Sequence, residues 1–213
     1  MTCRFTSPSP TPVKHQRFGA LHWDGRRLIQ QWLARSASEQ SSATGSPFEA
    51  FIYLWIAFNG YASCVTEEEQ DSEMIRKLGN CQVTRDLFDN AIQANESFKN
   101  SVKSFHELWP IFKVHKLRRK RLFGQIHSTR TAQIDAYLRE CDSNDYRPDC
   151  FAYHRDRGQP TPADWPHTLN AIYQVRCNLF HGEKSLTTEN DRIVVNHALN
   201  VLSQFIESSN LLQ

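Results

Sequence analysis

No stretch of this 213-residue chain approaches the roughly 18 consecutive apolar residues that a bilayer-spanning helix needs, so no membrane segment is expected. Met1 to Pro12 is rich in Ser, Thr and Pro and holds no apolar signal core, so a disordered leader is expected over residues 1–16. The six cysteines, at 3, 64, 81, 141, 150 and 177, show no close pairing. That spacing argues against a disulfide framework and for reduced thiols in a cytoplasmic protein. Cys141, Cys150 and His154 match no pair-based zinc spacing and lack an evident fourth ligand, so no metal is expected. There is also no alternating apolar–polar run of the kind a half-buried strand produces, and no internal repeat.

What is present is the composition of a globular protein: 39% of all residues are hydrophobic and 11% aromatic, in a chain long enough for a sizeable core. The net charge of +2 conceals a strong asymmetry. From Lys99 to Arg130 there are nine Lys or Arg against one acid, Glu107, leaving the rest of the chain net acidic. Part of that acidity is the run Glu67, Glu68, Glu69, Asp71 and Glu73, read as a solvated, mobile connection over 66–80.

Apolar spacing predicts helices over Trp23–Arg35, over 47–63, over a long stretch from Thr84 to Leu108, over 131–141, and after Thr188. Ser36 to Ser46 reads as a linker. The helix from Phe48 to Phe58 is apolar all round, with Ser46 as its N-cap and Pro47 at its first position, which suits the middle of a bundle. Glu49 lies in its first turn, where a negative charge is favourable, and Asn59 sits on its apolar stripe. Residues 142–162, rich in Asp, Arg, Pro and Gly, read as an irregular insertion. The expected fold is all-α: four main helices with a short helical and irregular elaboration, within a single domain spanning 17–213.

The stretch around which this is organised is Ile172 to Lys184. Trp165, Leu169, Ile172, Tyr173, Arg176, Leu179 and Phe180 recur on one helix face, and Arg176 falls where the pattern calls for Leu. An inward arginine cannot be neutralised and needs a carboxylate, carbonyl or phosphate beside it. Gly182 supplies a C-cap, and His181 sits at the helix end, where the last carbonyls favour its protonated form. Five residues of ideal helix separate two side chains by about 140° in azimuth. Arg176 and His181 therefore converge only if the chain turns at His181, or if a second copy of the chain completes the site. Both residues also complement the helix dipole with no catalysis at all.

Arg176-Cys177-Asn178-Leu179-Phe180-His181-Gly182 resembles the motif of HEPN domains, in which an Arg precedes a His with four to six residues between them. The family usually has a polar residue directly after the Arg; here Cys177 intervenes and Asn178 follows. The resemblance implies a HEPN-like helical bundle, an RNA substrate and a homodimer whose cleft takes an Arg-His pair from each protomer. It also implies a metal-independent endoribonuclease that needs no cofactor and serves in toxin or antiviral defence, where a cognate inhibitor is a possible partner. Under that reading His181 is the general base or acid, and Arg176 stabilises the charge developing on the phosphorane. Asn178 holds a phosphate or fixes the His181 tautomer, and Glu49 orients Arg176 or His181. The products would be a 2′,3′-cyclic phosphate and a 5′-hydroxyl. Partners that neutralise such toxins by modifying a tyrosine two residues after the histidine are not expected, because that position is Glu183.

Six cations in the nine residues 113–121, namely Lys113, Lys116, Arg118, Arg119, Lys120 and Arg121, can track a phosphate backbone, with Lys184 near the motif as a further contact. A solvated basic face, or a contact for the acidic run of another copy, accounts for the same run. Two other functional classes therefore stand beside the nuclease: a non-catalytic HEPN-like module that binds RNA or nucleotides, and a helical interaction module.

Overall fold

A computed structural model describes residues 12–180 and 189–212. Among these the chain is all-α, with eleven helices and a single two-stranded ribbon. After the short α1 (Gln16–Gly19), α2 (Trp23–Ser41) runs past the expected boundary at Arg35. Its extra residues stay helical because Ser36 turns inward and its hydroxyl donates to the Ala50 carbonyl at 2.8 Å.

The centre is α3 (Pro47–Thr66), capped by Ser46, whose hydroxyl accepts from the Glu49 N–H at 3.5 Å. It ends at Glu67, which adopts a left-handed φ of 57°. Phe48, Phe51, Leu54, Trp55, Phe58, Tyr61 and Val65 are buried along it, so this helix is wrapped by others. By length and composition α3 is apolar enough to cross a bilayer, contrary to the expectation drawn from unbroken apolar runs. More than half of it is nonetheless buried against other helices, which is the environment of a bundle core.

Three further expectations change. The acidic connection over 66–80 contains a ten-residue helix, α4 (Asp71–Asn80), because Met74, Ile75 and Leu78 lie on one face and are buried. The long helix from Thr84 is two helices, α5 (Gln82–Ala94) and α6 (Glu96–His106). The break falls at Asn95, whose side chain accepts from the Phe98 N–H at 3.1 Å and so starts α6 afresh. Cys81 rather than Thr84 caps α5, since the Thr84 hydroxyl instead donates to the Leu78 carbonyl at 2.5 Å. Of the expected leader, residues 1–11 lie outside the described residues. Residues 12–16 do not hang free, because the Lys14 N–H donates to the Val65 carbonyl at 2.8 Å.

The bundle is completed by α10 (Trp165–Phe180) and α11 (Glu189–Ser209). Trp165 lies tilted against Phe205 at 4.1 Å between centroids and against Phe88 at 5.3 Å, and its indole N–H donates to the Leu78 carbonyl at 3.1 Å. Between α6 and α10 lies an elaboration longer than the expected 142–162. It holds a ribbon of β1 (Ile111–Phe112) and β2 (Tyr146–Arg147), antiparallel, with Ile111 opposite Arg147. Strands this short leave no alternating signature for the sequence to show. The elaboration also carries α7 (Val114–Arg119), α8 (Arg130–Glu140) and α9 (Phe151–Arg155). Its own small cluster of Leu117, Leu122 and Tyr137 is separate from the main core.

Candidate functional site

Arg176 lies in the last turn but one of α10, with its side chain 21% exposed. Its Nη2 donates to Asp71 Oδ2 at 2.7 Å, and the guanidinium carbon stands 4.6 Å from the Phe180 ring centroid and 5.9 Å from that of Trp55. The Trp55 ring in turn stacks on Tyr173 at 6.0 Å. A planar cation held against an aromatic face and bonded to a carboxylate loses little freedom when it meets an anion. One of its donors is left over: Nε is buried and has no hydrogen-bond partner among the described residues. An unsatisfied buried donor costs about 1–3 kcal/mol, a cost that an acceptor entering from outside would remove.

The acid beside Arg176 is thus Asp71, the first residue of α4, and not Glu49. Glu49 stays exposed in the first turn of α3, and no contact joins it to Arg176 among the described residues. Asp71 went unnoticed because the acidic run around it looks solvated. The signal that marks it is Gln70-Asp71-Ser72-Glu73 followed by Met74, Ile75 and Leu78, an acidic helix start ahead of an apolar stripe.

Asn178, two residues beyond Arg176, points elsewhere. It is 1% exposed, its Nδ2 donates to the Phe112 carbonyl at 2.8 Å, and its Oδ1 accepts from Gln174 Nε2 at 2.9 Å and from the Val114 N–H at 3.4 Å. Those bonds tie the ribbon to α10, and burial keeps the amide away from a ligand in solvent. The phosphate-holding role expected for Asn178 therefore gives way to a structural one. Next to Arg176, burial raises the Tyr173 hydroxyl pKa above its usual value, with Cys177 adding to the shift. His181, Gly182 and Lys184 lie outside the described residues.

The basic segment divides. Lys120 pairs with Asp145 at 3.0 Å and also donates to the Glu140 carbonyl, so it is engaged internally. Lys113 is partly buried, and burial first, then Arg147 and Lys116, hold its pKa below that of a free lysine. Arg118, Arg119 and Arg121 remain exposed, with Lys116 half-buried beside them. The Arg118 guanidinium sits 5.0 Å over Phe123, a ring 49% exposed. These two residues edge a groove of about 840 Å³ between the elaboration and the start of α11, lined also by His127, Arg130, Tyr137 and Ile193. Arg130 donates to the Leu108 carbonyl, and its pKa is lowered by burial. Among the described residues no group of three or more His, Cys, Asp or Glu is placed to hold a metal.

No family model, curated protein or solved structure matches the chain.

Proposed function

We propose that the chain is a metal-independent, HEPN-type endoribonuclease in which Arg176 and His181 act on the scissile phosphodiester. The observation that carries this reading is the posture of Arg176: clamped by Asp71, backed by Trp55 and Phe180, one-fifth exposed, with a buried Nε donor unsatisfied. A guanidinium has five N–H donors, so the bond to Asp71 leaves others for a phosphate oxygen. Positioning it in advance places positive charge where the phosphorane will form, with little reorganisation during reaction. The nucleophile is the RNA's own 2′-hydroxyl, and His181 is the group that moves its proton or protonates the leaving 5′-oxygen. Asp71 takes the orienting part for Arg176. A homodimer would bring two such sets to one cleft, and toxin or antiviral action in the cytoplasm, restrained by a cognate inhibitor, is the setting that suits this chemistry.

A second reading, an RNA- or nucleotide-binding module without cleavage, is favoured by the groove flanked by Arg118, Phe123 and Arg130. One assay separates the two. Purified chain is incubated with total RNA in EDTA, and product ends are mapped. The nuclease reading expects fragments with 2′,3′-cyclic phosphate and 5′-hydroxyl ends, formed about 10²–10⁴-fold more slowly by His181→Ala. Intact RNA bound with a strong salt dependence supports the second reading instead. Neither cleavage nor binding removes both and leaves a helical interaction module.

A further inference from the structure

Away from Arg176, three side chains distant in sequence meet at the end of α4. His15 sits in the segment before α1 and lies between α3 and α5. Its Nδ1 is 2.5 Å from the Tyr61 hydroxyl, and its Nε2 is 3.3 Å from Cys81 Sγ. The imidazole and phenol rings are stacked, with centroids 6.2 Å apart. The segment is anchored on both sides of His15, by the Lys14 N–H on the Val65 carbonyl at 2.8 Å and by Lys14 and Arg17 on Glu67. Tyr61 is buried, while Cys81 is partly exposed and occupies the N-cap position of the 13-residue α5 without a side-chain capping bond. The free N–H groups of a helix's first turn favour negative charge at that position.

A nucleophile within reach of a base, with the base oriented by a third group, is the arrangement that activates thiols. Burial lowers the His15 pKa, which keeps the imidazole neutral and able to accept a proton at neutral pH. Burial likewise raises that of Tyr61, which keeps the phenol protonated. In the tautomer whose Nδ1–H donates to the Tyr61 oxygen, Nε2 turns its lone pair to the Cys81 thiol.

We propose that Cys81 is a peroxide-reactive thiol, with His15 taking its proton and Tyr61 holding the imidazole in the accepting tautomer. The thiolate sulfur attacks one oxygen of hydrogen peroxide and the O–O bond breaks. The departing hydroxide takes the proton from His15 and leaves as water. Cys81 becomes a sulfenic acid: its sulfur loses two electrons and the peroxide gains them. The site is independent of the nuclease reading, although α4, which Cys81 follows directly, begins with the Asp71 that holds Arg176.

The chain contains its own controls. Cys64 and Cys141 are also partly exposed, but burial pushes both thiols up and neither has a histidine partner among the described contacts. Access alone would make the three react alike. The test exposes the full chain to hydrogen peroxide at neutral pH, traps sulfenic acid with dimedone and quantifies each cysteine by peptide mass spectrometry. With a base 3.3 Å from its sulfur, Cys81 is expected to label about 5–10-fold faster than Cys64 and Cys141. His15→Asn should slow Cys81 to their rate and leave theirs unchanged. Equal labelling of the three cysteines in the wild-type chain overturns the proposal, with no variant needed. So does an unchanged Cys81 rate in a folded His15→Asn protein.

Discussion

The bundle and the elaboration between α6 and α10 are held together by different forces. In the bundle, Trp55, Trp165, Phe51, Phe58, Phe88, Phe98 and Phe205 are fully buried, with Trp55 against Phe58 on α3 and Phe88 against both Trp165 of α10 and Phe205 of α11. The elaboration has a separate buried cluster of three side chains, with Val114, Tyr146 and Cys150 also buried and Ile111 reaching into the main core. It meets the bundle through the Asn178 amide on the Phe112 and Val114 backbone and through Ile111 and Phe151 against the main core, while Lys120 on Asp145 and Arg155 on Asp135 tie the elaboration to itself. Apolar burial is non-directional and its loss is felt throughout a cooperative core, whereas a polar link is directional and fails locally. One helix therefore serves both regions, with Trp165 and Leu169 in the core and Asn178 reaching the ribbon.

That contrast can be broken by substitution. The largest expected effect is Trp165→Ala, which leaves a cavity among Phe88, Phe205 and Leu78. It should lower global stability by about 3–5 kcal/mol in denaturant unfolding, with every probe shifting together. Asn178→Ala should cost about 1–3 kcal/mol by leaving buried ribbon groups unpaired. Its signature in hydrogen exchange is lost protection around Ile111–Val114 while α3 keeps its own. Equal loss in both regions would mean that the elaboration is not a separate unit.

A smaller effect should follow pH. Burial opposes the ionisation of Asp145, but the Lys120 hydrogen bond and the Asp142 N–H outweigh it, so its pKa lies below the usual carboxylate value. A carboxylate depressed in the folded state stabilises above its unfolded pKa of about 4 and loses that contribution as pH falls through the folded value. Acid titration should therefore loosen the ribbon before it melts the bundle. Hydrogen exchange at Ile111–Phe112 and along α3, followed through the titration, would show the two transitions apart. The smallest change is Asp71→Asn, expected to lower stability by about 1 kcal/mol or less because the pair is partly solvated. A drop as large as that of Asn178→Ala would place Arg176 among the structural links rather than at a reactive site.

Much of the bundle was legible because its signals are local. Ser46-Pro47 and the run of aromatics after it mark α3 whatever packs on them, and the stripe from Trp165 to Phe180 marks the described length of α10. What was hidden depends on tertiary partners. Asn95 reads as one more polar residue of an amphipathic stretch until its side chain caps α6. The two-residue strands exist only because each pairs with the other. At the site, Arg176 was legible as an interruption of an apolar face, and the need for a carboxylate, carbonyl or phosphate beside it followed from its charge. Which acid could not be read: Glu49 and Asp71 both open helices, and only the packing of α4 against α10 selects Asp71. Asn178 shows the limit from the other side, since a motif position that suggests ligand binding is here occupied by backbone.

The account turns on whether Arg176 meets RNA or merely closes a contact between α10 and α4. The most direct measurement is the cleavage rate of an end-labelled single-stranded RNA in EDTA, comparing the wild-type chain with Arg176→Ala at matched melting temperature. The account predicts cleavage by the wild type and a loss of about 10²-fold or more in the variant. Equal rates in the two proteins, or intact RNA with the wild type, would contradict it.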